Sequence, residues 1–318
     1  MTAARIAAVG ECMIELSQRD ETTLSLAFGG DTLNTSVYLA RSTPRDRVAV
    51  DYVTALGDDP YSDRMLAMWR EEGIGADHVA RLPGRLPGLY IIRIDEHGER
   101  RFFHYRSAAA VRSLFVEPST LPLLARLAAE YDLIYFSAIT LSVLAAEARD
   151  RFGEALARAR ARGARVAFDS NYRATNWPDR ETAQRTVARF LAEVDIGLPT
   201  ADDEAALFGD ADTEATIARY QAAGVAELAL KLGRDGCVVV DRAGGDGGSS
   251  SRTPVPTQPV RPVDTTAAGD AFNGGYLGRR LVGTPPAAAA RAGNRLAGAV
   301  IGHRGAIIPR DATPDLAG

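Results

Sequence analysis

A run of small and acidic residues near the C-terminus, Asp264-Thr265-Thr266-Ala267-Ala268-Gly269-Asp270-Ala271-Phe272-Asn273-Gly274-Gly275, leads from a Pro-bounded loop into an apolar stretch that predicts a helix to about Leu281. Small residues just ahead of a helix let several backbone N–H groups point outward, and with the positive helix end they make an anion site that suits phosphate. Asp270 falls in the first turn. It either caps the helix or stands as a general base for a hydroxyl attacking a phosphoryl group. A second glycine-rich piece, Gly29-Gly30-Asp31-Thr32-Leu33-Asn34, also opens a helix. Asp31 or Thr32 can cap it, while glycine admits a ligand to the backbone and Asp31 and Asn34 can bond hydroxyls. A polyol site and an ordinary capped turn both fit. Lys231-Leu232-Gly233-Arg234-Asp235-Gly236 ends one predicted strand and turns into the next, either as a plain hairpin or as a ligand loop at the strand ends of an open α/β sheet. Lys231 is the sole lysine in a chain whose Lys and Arg total 37.

The elements that must hold these pieces come from hydrophobic periodicity. Short apolar runs at Ile6 to Val9, Val48 to Val53, Leu133 to Phe136, Arg165 to Phe168, Ile196 to Leu198 and Leu228 to Leu230 read as buried strands. Amphipathic segments lie between them, at Thr32 to Arg41, Ser62 to Glu72, Glu147 to Arg162 and Glu181 to Glu193. Such alternation predicts an α/β fold, an open sandwich whose mostly parallel sheet carries helices on both faces. Residues Leu89 to Tyr105 break that rhythm. Leu89 to Ile94 and Arg100 to Tyr105 flank the turn Asp95-Glu96-His97-Gly98 and predict a hairpin with no helix after it. With the alternating segments Met13 to Leu16 and Leu24 to Phe28, it forms either a small antiparallel lid or an edge of the main sheet. Ala243 to Ser251 reads as a flexible polar loop between two late strands, and there is no internal repeat.

Composition removes several classes of function. The chain has 318 residues, 46% hydrophobic and 25% charged, too apolar for disorder and long enough for one large α/β domain with an appendage. A net charge of −4 leaves no excess of cations for a nucleic-acid backbone or an anionic membrane. No window reaches the ~18 uninterrupted apolar residues of a membrane span. Cys12 and Cys237 are too few for a disulfide scaffold or a thiolate metal site and suit a reducing compartment. The apolar stretch before Glu11 is only four residues long, Ile6 to Val9, so the start lacks a signal-peptide core and a cytoplasmic location is expected. The histidines, at 78, 97, 104 and 303, are scattered. No GxxxxGK[ST], GxSxG or HExxH is present, and the first strand runs into Gly10-Glu11-Cys12 with no GxGxxG, which removes a dehydrogenase.

Together the pieces resemble the ribokinase-like carbohydrate kinases, the phosphofructokinase B family. GGDTLN before a helix is similar to its N-terminal signature and DTTAAGDAFNGG to its C-terminal one, in the expected order, and the similarity runs through nearly the whole chain. GECMIEL at 10 to 16, GGDTLNTSVYLAR at 29 to 41, YVTALGDD at 52 to 59, RLPGLY at 85 to 90 and RGAIIPR at 304 to 310 are similar to the branch acting on ketodeoxy sugar acids. The resemblance implies a three-layer sandwich, one kinase domain over 1–318, with a β lid from segments around 11–28 and 88–106. It also implies ATP and Mg2+, and transfer of the γ-phosphoryl to the 6-hydroxyl of 2-keto-3-deoxygluconate. A sibling kinase for a neutral sugar such as fructose or ribose is the alternative, and a non-catalytic sugar-acid sensor is a third reading.

In this reading Asp270 accepts the hydroxyl proton, and Ala267, Ala268 and Gly269 supply the N–H groups that stabilise the migrating phosphoryl. Substrate contacts carry over to Gly30, Asp31, Thr32, Leu33 and Asn34, to Tyr90, to His104, Tyr105 and Arg106 at the hairpin end, and to Arg173. Arg106 and Arg173 argue for an acid sugar, because a guanidinium grips a carboxylate with two parallel hydrogen bonds. Nucleotide contacts fall on Asn171, Tyr172 and Arg173, on Lys231, Leu232, Gly233, Arg234, Asp235 and Gly236, and on Ala267 to Asp270, with adenine near Asn294. Many relatives have Gly where this chain has Ala267, but the acid-sugar kinases share the alanine. The Asn-x-x-Glu element that orients Mg2+ through water in many relatives appears as Thr200-Ala201-Asp202-Asp203, with Glu204 adjoining. Its Asn is missing, so the metal's ligands are left unassigned and Asp203 is only a candidate to hold its water. His104 stands where tyrosine is common. The implied partners are a sugar acid, ATP and a second copy of the chain meeting through lid strands.

Overall fold

A computed structural model describes residues 3–94, 100–242 and 250–316. The turn at Asp95 to Gly98 and the loop from residue 243 to 249 lie outside the described residues. Among the described residues, fourteen strands run in chain order: β1 (Ala4–Val9), β2 (Met13–Gln18), β3 (Leu24–Gly29), β4 (Val48–Leu56), β5 (Ile74–Gly75), β6 (Val79–Arg81), β7 (Gly88–Ile94), β8 (Arg100–Tyr105), β9 (Leu133–Ser137), β10 (Arg165–Asp169), β11 (Ile196–Gly197), β12 (Glu227–Lys231), β13 (Cys237–Asp241) and β14 (Ser251–Val255). The large sheet has the order β14-β13-β12-β11-β10-β9-β1-β4-β5, with β6 also paired to β4. Neighbours from β12 through β11, β10, β9, β1 and β4 to β5 are parallel, and β12-β13-β14 form antiparallel hairpins at one end. The α/β expectation holds.

Alternation inside a single strand shows why both faces are covered. In β9, Ile134 and Phe136 point into a core with Phe152, Phe168 and Phe190, while Leu133 and Tyr135 point into another with Tyr52, Trp69 and Tyr276. A parallel sheet with two apolar faces needs a helical layer on each. The helices Asp31–Ser42, Pro60–Glu72 and Ala268–Leu281 cover one side, and Pro122–Glu130, Ala146–Ala161 and Arg180–Leu191 the other.

Apart from this stands a four-stranded sheet, β3-β2-β7-β8. Its two hairpins are antiparallel, and β2 joins β7 in a parallel pair from Met13 opposite Gly88 to Ser17 opposite Ile92. It is therefore a separate small sheet, not an edge of the large one. Leu24, Phe102, Phe103 and Tyr105 are exposed on it.

Candidate active site

Parallel strands bring their C-terminal ends to one edge of the large sheet, and that edge is where the chain's reactive groups gather. Asp169 closes β10, Lys231 closes β12, and Glu11 follows β1. Two helices start at the same edge, Asp31–Ser42 and Ala268–Leu281. Gly274 lets them touch, since a Cβ there would lie 2.8 Å from the Thr35 carbonyl oxygen. Their close approach places Asn34 against Asp270: Asn34 Nδ2 donates to Asp270 Oδ2 at 2.9 Å, and Thr35 Oγ1 donates to the Asp270 carbonyl at 3.2 Å. Between this edge and the small sheet opens a cleft of about 2150 Å³. Pockets for one ligand run to roughly 1,000 Å³, so this space suits two substrates side by side.

The helix Ala268–Leu281 has no side-chain cap. Ala267 precedes it at φ 60°, ψ 16°, a left-handed conformation that alanine adopts only at a cost of about 1 kcal/mol. That turn directs the uncapped start of the helix at the cleft, which Ala267, Ala268, Gly269 and Asp270 line. Lys231 stands across from it, its ammonium 3.5 Å from where a Cβ on Gly269 would lie. Lys231 Nζ donates to Asp169 Oδ2 at 2.9 Å and to Asn273 Oδ1 at 3.1 Å, and Asn273 Nδ2 also donates to Asp169, at 2.6 Å. The sole lysine is thus buried in a fixed position beside a helix N-terminus.

Carboxylates crowd this end. Burial raises the Asp270 carboxyl, and the Asp31 charge, set against the Asn34 hydrogen bond, followed by the Asp169 charge, set against Lys231, leaves it at about 8. Asp31 is also raised, mainly by burial, although Asn171 Nδ2 donates to it at 2.9 Å. A base whose carboxyl titrates near neutrality suits proton abstraction from an alcohol at physiological pH. The free enzyme's kcat/KM is accordingly expected to rise with pH through neutrality toward about 8, because the base works deprotonated and a raised pKa carries the acid limb upward. A limb confined to the ordinary carboxylate range, near pH 4, would exclude Asp270 as the base.

The expected substrate residues divide. Gly30, Asp31, Asn34, Tyr90, His104, Tyr105 and Arg106 line the cleft with Asp270. Thr32 and Leu33 do not: both are fully buried, Thr32 Oγ1 shares a hydrogen bond with Tyr52 at 2.9 Å, and Leu33 lies in the core. They place Asp31 and Asn34, and the helical period turns their own side chains inward. Tyr90 donates to Glu15. Burial first, then the neighbouring Arg106, lowers the His104 imidazole and favours its neutral form. Arg106 and Arg173, expected to grip a substrate carboxylate, each already meet an acid of the chain. Arg106 pairs with the buried Glu11, and Arg173 Nη1 lies 3.1 Å from Asp203 and 2.7 Å from the Tyr172 carbonyl.

Among the expected nucleotide residues, Asn171, Arg173, Lys231 and Ala267 to Asp270 line the cleft. Tyr172 is buried in the core, and Leu232 to Gly236 form the β12–β13 turn off the cleft wall. Asn294 donates to the Val255 carbonyl at 3.0 Å, also outside the lining. Glu204 faces away, held by Arg219 at 2.7 Å and Tyr220 at 2.8 Å, whereas Asp202 and Asp203 line the cleft. Sequence reasoning passed over Glu11, Asn273 and Arg112. Asn273 had a signal, since it lies three residues beyond Asp270 on the same helix and so shares its face.

A helix start, a buried carboxylate and a fixed ammonium at the strand ends of a parallel sheet form the constellation of a phosphoryl-transfer site. The chain belongs to the pfkB family of carbohydrate kinases, whose profile matches residues 3–313. Over 315 residues, 99% of this chain and 100% of the relative, it is 42% identical to a 2-dehydro-3-deoxygluconokinase of Dickeya dadantii. It is 37% identical over 312 residues, 98% of each chain, to the 2-dehydro-3-deoxygluconokinase of Haemophilus influenzae. In fold it is similar to the crystal structure of a fructokinase with bound ATP from Xylella fastidiosa, with a TM-score of 0.81 at 24% identity over 98% of this chain and 96% of that one.

Proposed function

We propose that this chain is an ATP-dependent kinase that phosphorylates the 6-hydroxyl of 2-dehydro-3-deoxygluconate, the ketodeoxy sugar acid also written 2-keto-3-deoxygluconate. The observation that carries the reading is Asp270 in the first turn of an uncapped helix, beside Lys231 and open to a two-substrate cleft. The sugar end is supported by the names and full-length coverage of relatives 37% and 42% identical.

Asn34 holds one oxygen of Asp270, leaving the other to face a hydroxyl. As the hydroxyl oxygen bonds to the terminal phosphorus, the bond from that phosphorus to the bridging oxygen breaks and the proton passes to Asp270. Amides of the first turn and the Lys231 ammonium stand where negative charge gathers on the migrating group, and fixed donors of this kind need no reorganisation as it develops. Phosphoryl transfer asks little more than such positioning.

The cleft fits a divalent cation. Among the described residues, Glu11, Asp31, Asp169, Asp202, Asp203, Asp264 and Asp270 line it against four basic side chains, so a polyanionic nucleotide is better neutralised with a cation than by these side chains alone. Among the described residues, no group of three or more His, Cys, Asp or Glu side chains could hold a metal. Mg2+ needs no such cluster, since it is bound through one or two carboxylates, substrate phosphates and retained waters. Asp203, and Asp202 beside it, are the acids placed to hold its waters, and the ion would neutralise charge on the phosphates. The same reading carries a homo-oligomer through the small sheet, supported by the exposed Phe102, Phe103 and Tyr105.

Coupled ATP turnover tests the assignment. With Mg2+ present, kcat/KM for 2-dehydro-3-deoxygluconate is expected to exceed that for fructose or ribose by at least ~100-fold, the scale of a charge-assisted contact. Equal or greater turnover of a neutral sugar would establish the sibling kinase instead. No turnover of any of them would leave the sensor.

A further inference from the structure

Four basic side chains line the cleft among the described residues, and three are already matched by an acid of the chain. Arg106 pairs with Glu11, Arg173 with Asp203 and Lys231 with Asp169. The fourth is Arg112, whose guanidinium makes no hydrogen bond, ion pair or ring contact among the described residues. We infer that Arg112 supplies the uncompensated positive charge that recognises the substrate's carboxylate. The inference rests on the acid-sugar reading above and names the residue that would enforce it.

A carboxylate entering this cleft approaches Glu11, Asp31 and Asp270, and an arginine already neutralised by its own carboxylate offers it hydrogen bonds but no net attraction. Arg112 alone offers both. Its placement is built into the fold: it sits in the short turn Ala110–Ser113 that follows β8, where Ala110 and Val111 are buried in the core. Ala110 N donates to the Leu86 carbonyl at 2.9 Å and Arg112 N to the Ala109 carbonyl at 3.0 Å, so the backbone is tied while the side chain stays exposed. Leu86, which Ala110 bonds, stands two residues before Gly88, where a Cβ would lie 2.6 Å from Glu11 Oε1 and 3.3 Å from Arg106 Cβ, so Arg112 enters the cleft at its Glu11–Arg106 end.

A second observation marks the same wall as a place for a ligand. Arg106 Nε and Glu11 Oε1 are both buried with no hydrogen-bond partner. Glu11 is 3% exposed, so its free acceptor is a cost that nothing in the chain offsets. A sugar hydroxyl can accept from Arg106 and donate to Glu11, while the adjoining carboxylate turns to Arg112. Arg106 and Glu11 then read the polyol, and Arg112 reads the acid.

The test is Arg112→Ala, with Arg112→Lys as the conservative variant. KM for 2-dehydro-3-deoxygluconate is expected to rise about 10- to 100-fold in the alanine variant, with KM for ATP and kcat within about twofold of wild type. Lysine should recover part of the loss, and raising the ionic strength should weaken acid-sugar binding in wild type more than in Arg112→Ala. Adding Glu11→Gln to Arg112→Ala frees the Arg106 charge and should lower KM for the acid sugar again, whereas a KM that stays high would mean that net positive charge at this end of the cleft does not govern carboxylate binding and would count against the inference. An unchanged acid-sugar KM in Arg112→Ala, or equal losses for acid sugar and ATP, overturns the inference while the kinase assignment stands. A wild-type enzyme that prefers fructose or ribose overturns both.

Discussion

Replacing Asp270 with Asn is expected to lower kcat about 10²- to 10⁴-fold while raising the thermal midpoint. The two signs come from one cause. Asp270 is buried, with the charges of Asp31 and Asp169 bearing on it, and its carboxyl is pushed up to about 8. The folded state therefore prefers it neutral. Its folded pKa lies above its unfolded one, so stability is greatest below the unfolded carboxylate range and declines as pH climbs toward the folded value. Asparagine keeps the shape, and its amide oxygen can still accept from Asn34, but it carries no charge to strain against its neighbours. Each kcal/mol relieved is worth roughly 2–4 °C in a protein of this size. Circular dichroism melts at pH 8 and coupled-assay kcat, taken on the same preparations, check both signs. Unchanged turnover would assign the base elsewhere, and a lowered midpoint would mean that the carboxylate stabilises the fold. Reduced activity with increased stability is what a residue retained for chemistry produces.

The sequence made the scaffold legible because the apolar pattern of each strand is local. The runs at Leu133 to Phe136 and Arg165 to Phe168 became β9 and β10 with one residue added at each C-terminal end, Ser137 and Asp169. β5 and β6 were not legible, having two and three residues with no periodicity to read. The hairpin partition of the small sheet followed from alternation, but the parallel β2–β7 join did not, because strand order is a property of topology. The site shows the same division. Asp270, Asn34 and Lys231 announced themselves by type and motif. Whether an arginine is free was hidden, since Glu11 and Arg106 are 95 positions apart and meet only once β1 and β8 are placed. Thr32 and Leu33 show the converse error. They stand inside a motif whose Asp31 and Asn34 line the cleft, but their rotation about the helix sends them to the core.

Lys231→Met should be the most damaging single substitution to the fold at this site, costing about 3–5 kcal/mol of stability, the scale for breaking a buried ion pair. Its ammonium is one of three side-chain or backbone donors to Asp169, with Asn273 Nδ2 at 2.6 Å and the Asn171 amide at 3.2 Å. Asp169 is 2% exposed, so without the ammonium a carboxylate sits in low dielectric with two neutral donors and other acids nearby. Activity should fall as well, because the same ammonium faces the helix start proposed to receive the phosphoryl charge, 3.5 Å from where a Cβ on Gly269 would lie. One substitution cannot separate these effects. The double variant Asp169→Asn/Lys231→Met can, since removing the stranded carboxylate should restore most of the lost stability while leaving kcat and KM for ATP impaired. Urea melts and steady-state kinetics on the two variants distinguish the roles. If stability and activity recover together, Lys231 serves only to neutralise Asp169; if stability alone recovers, the chain's one lysine is spent on its phosphates.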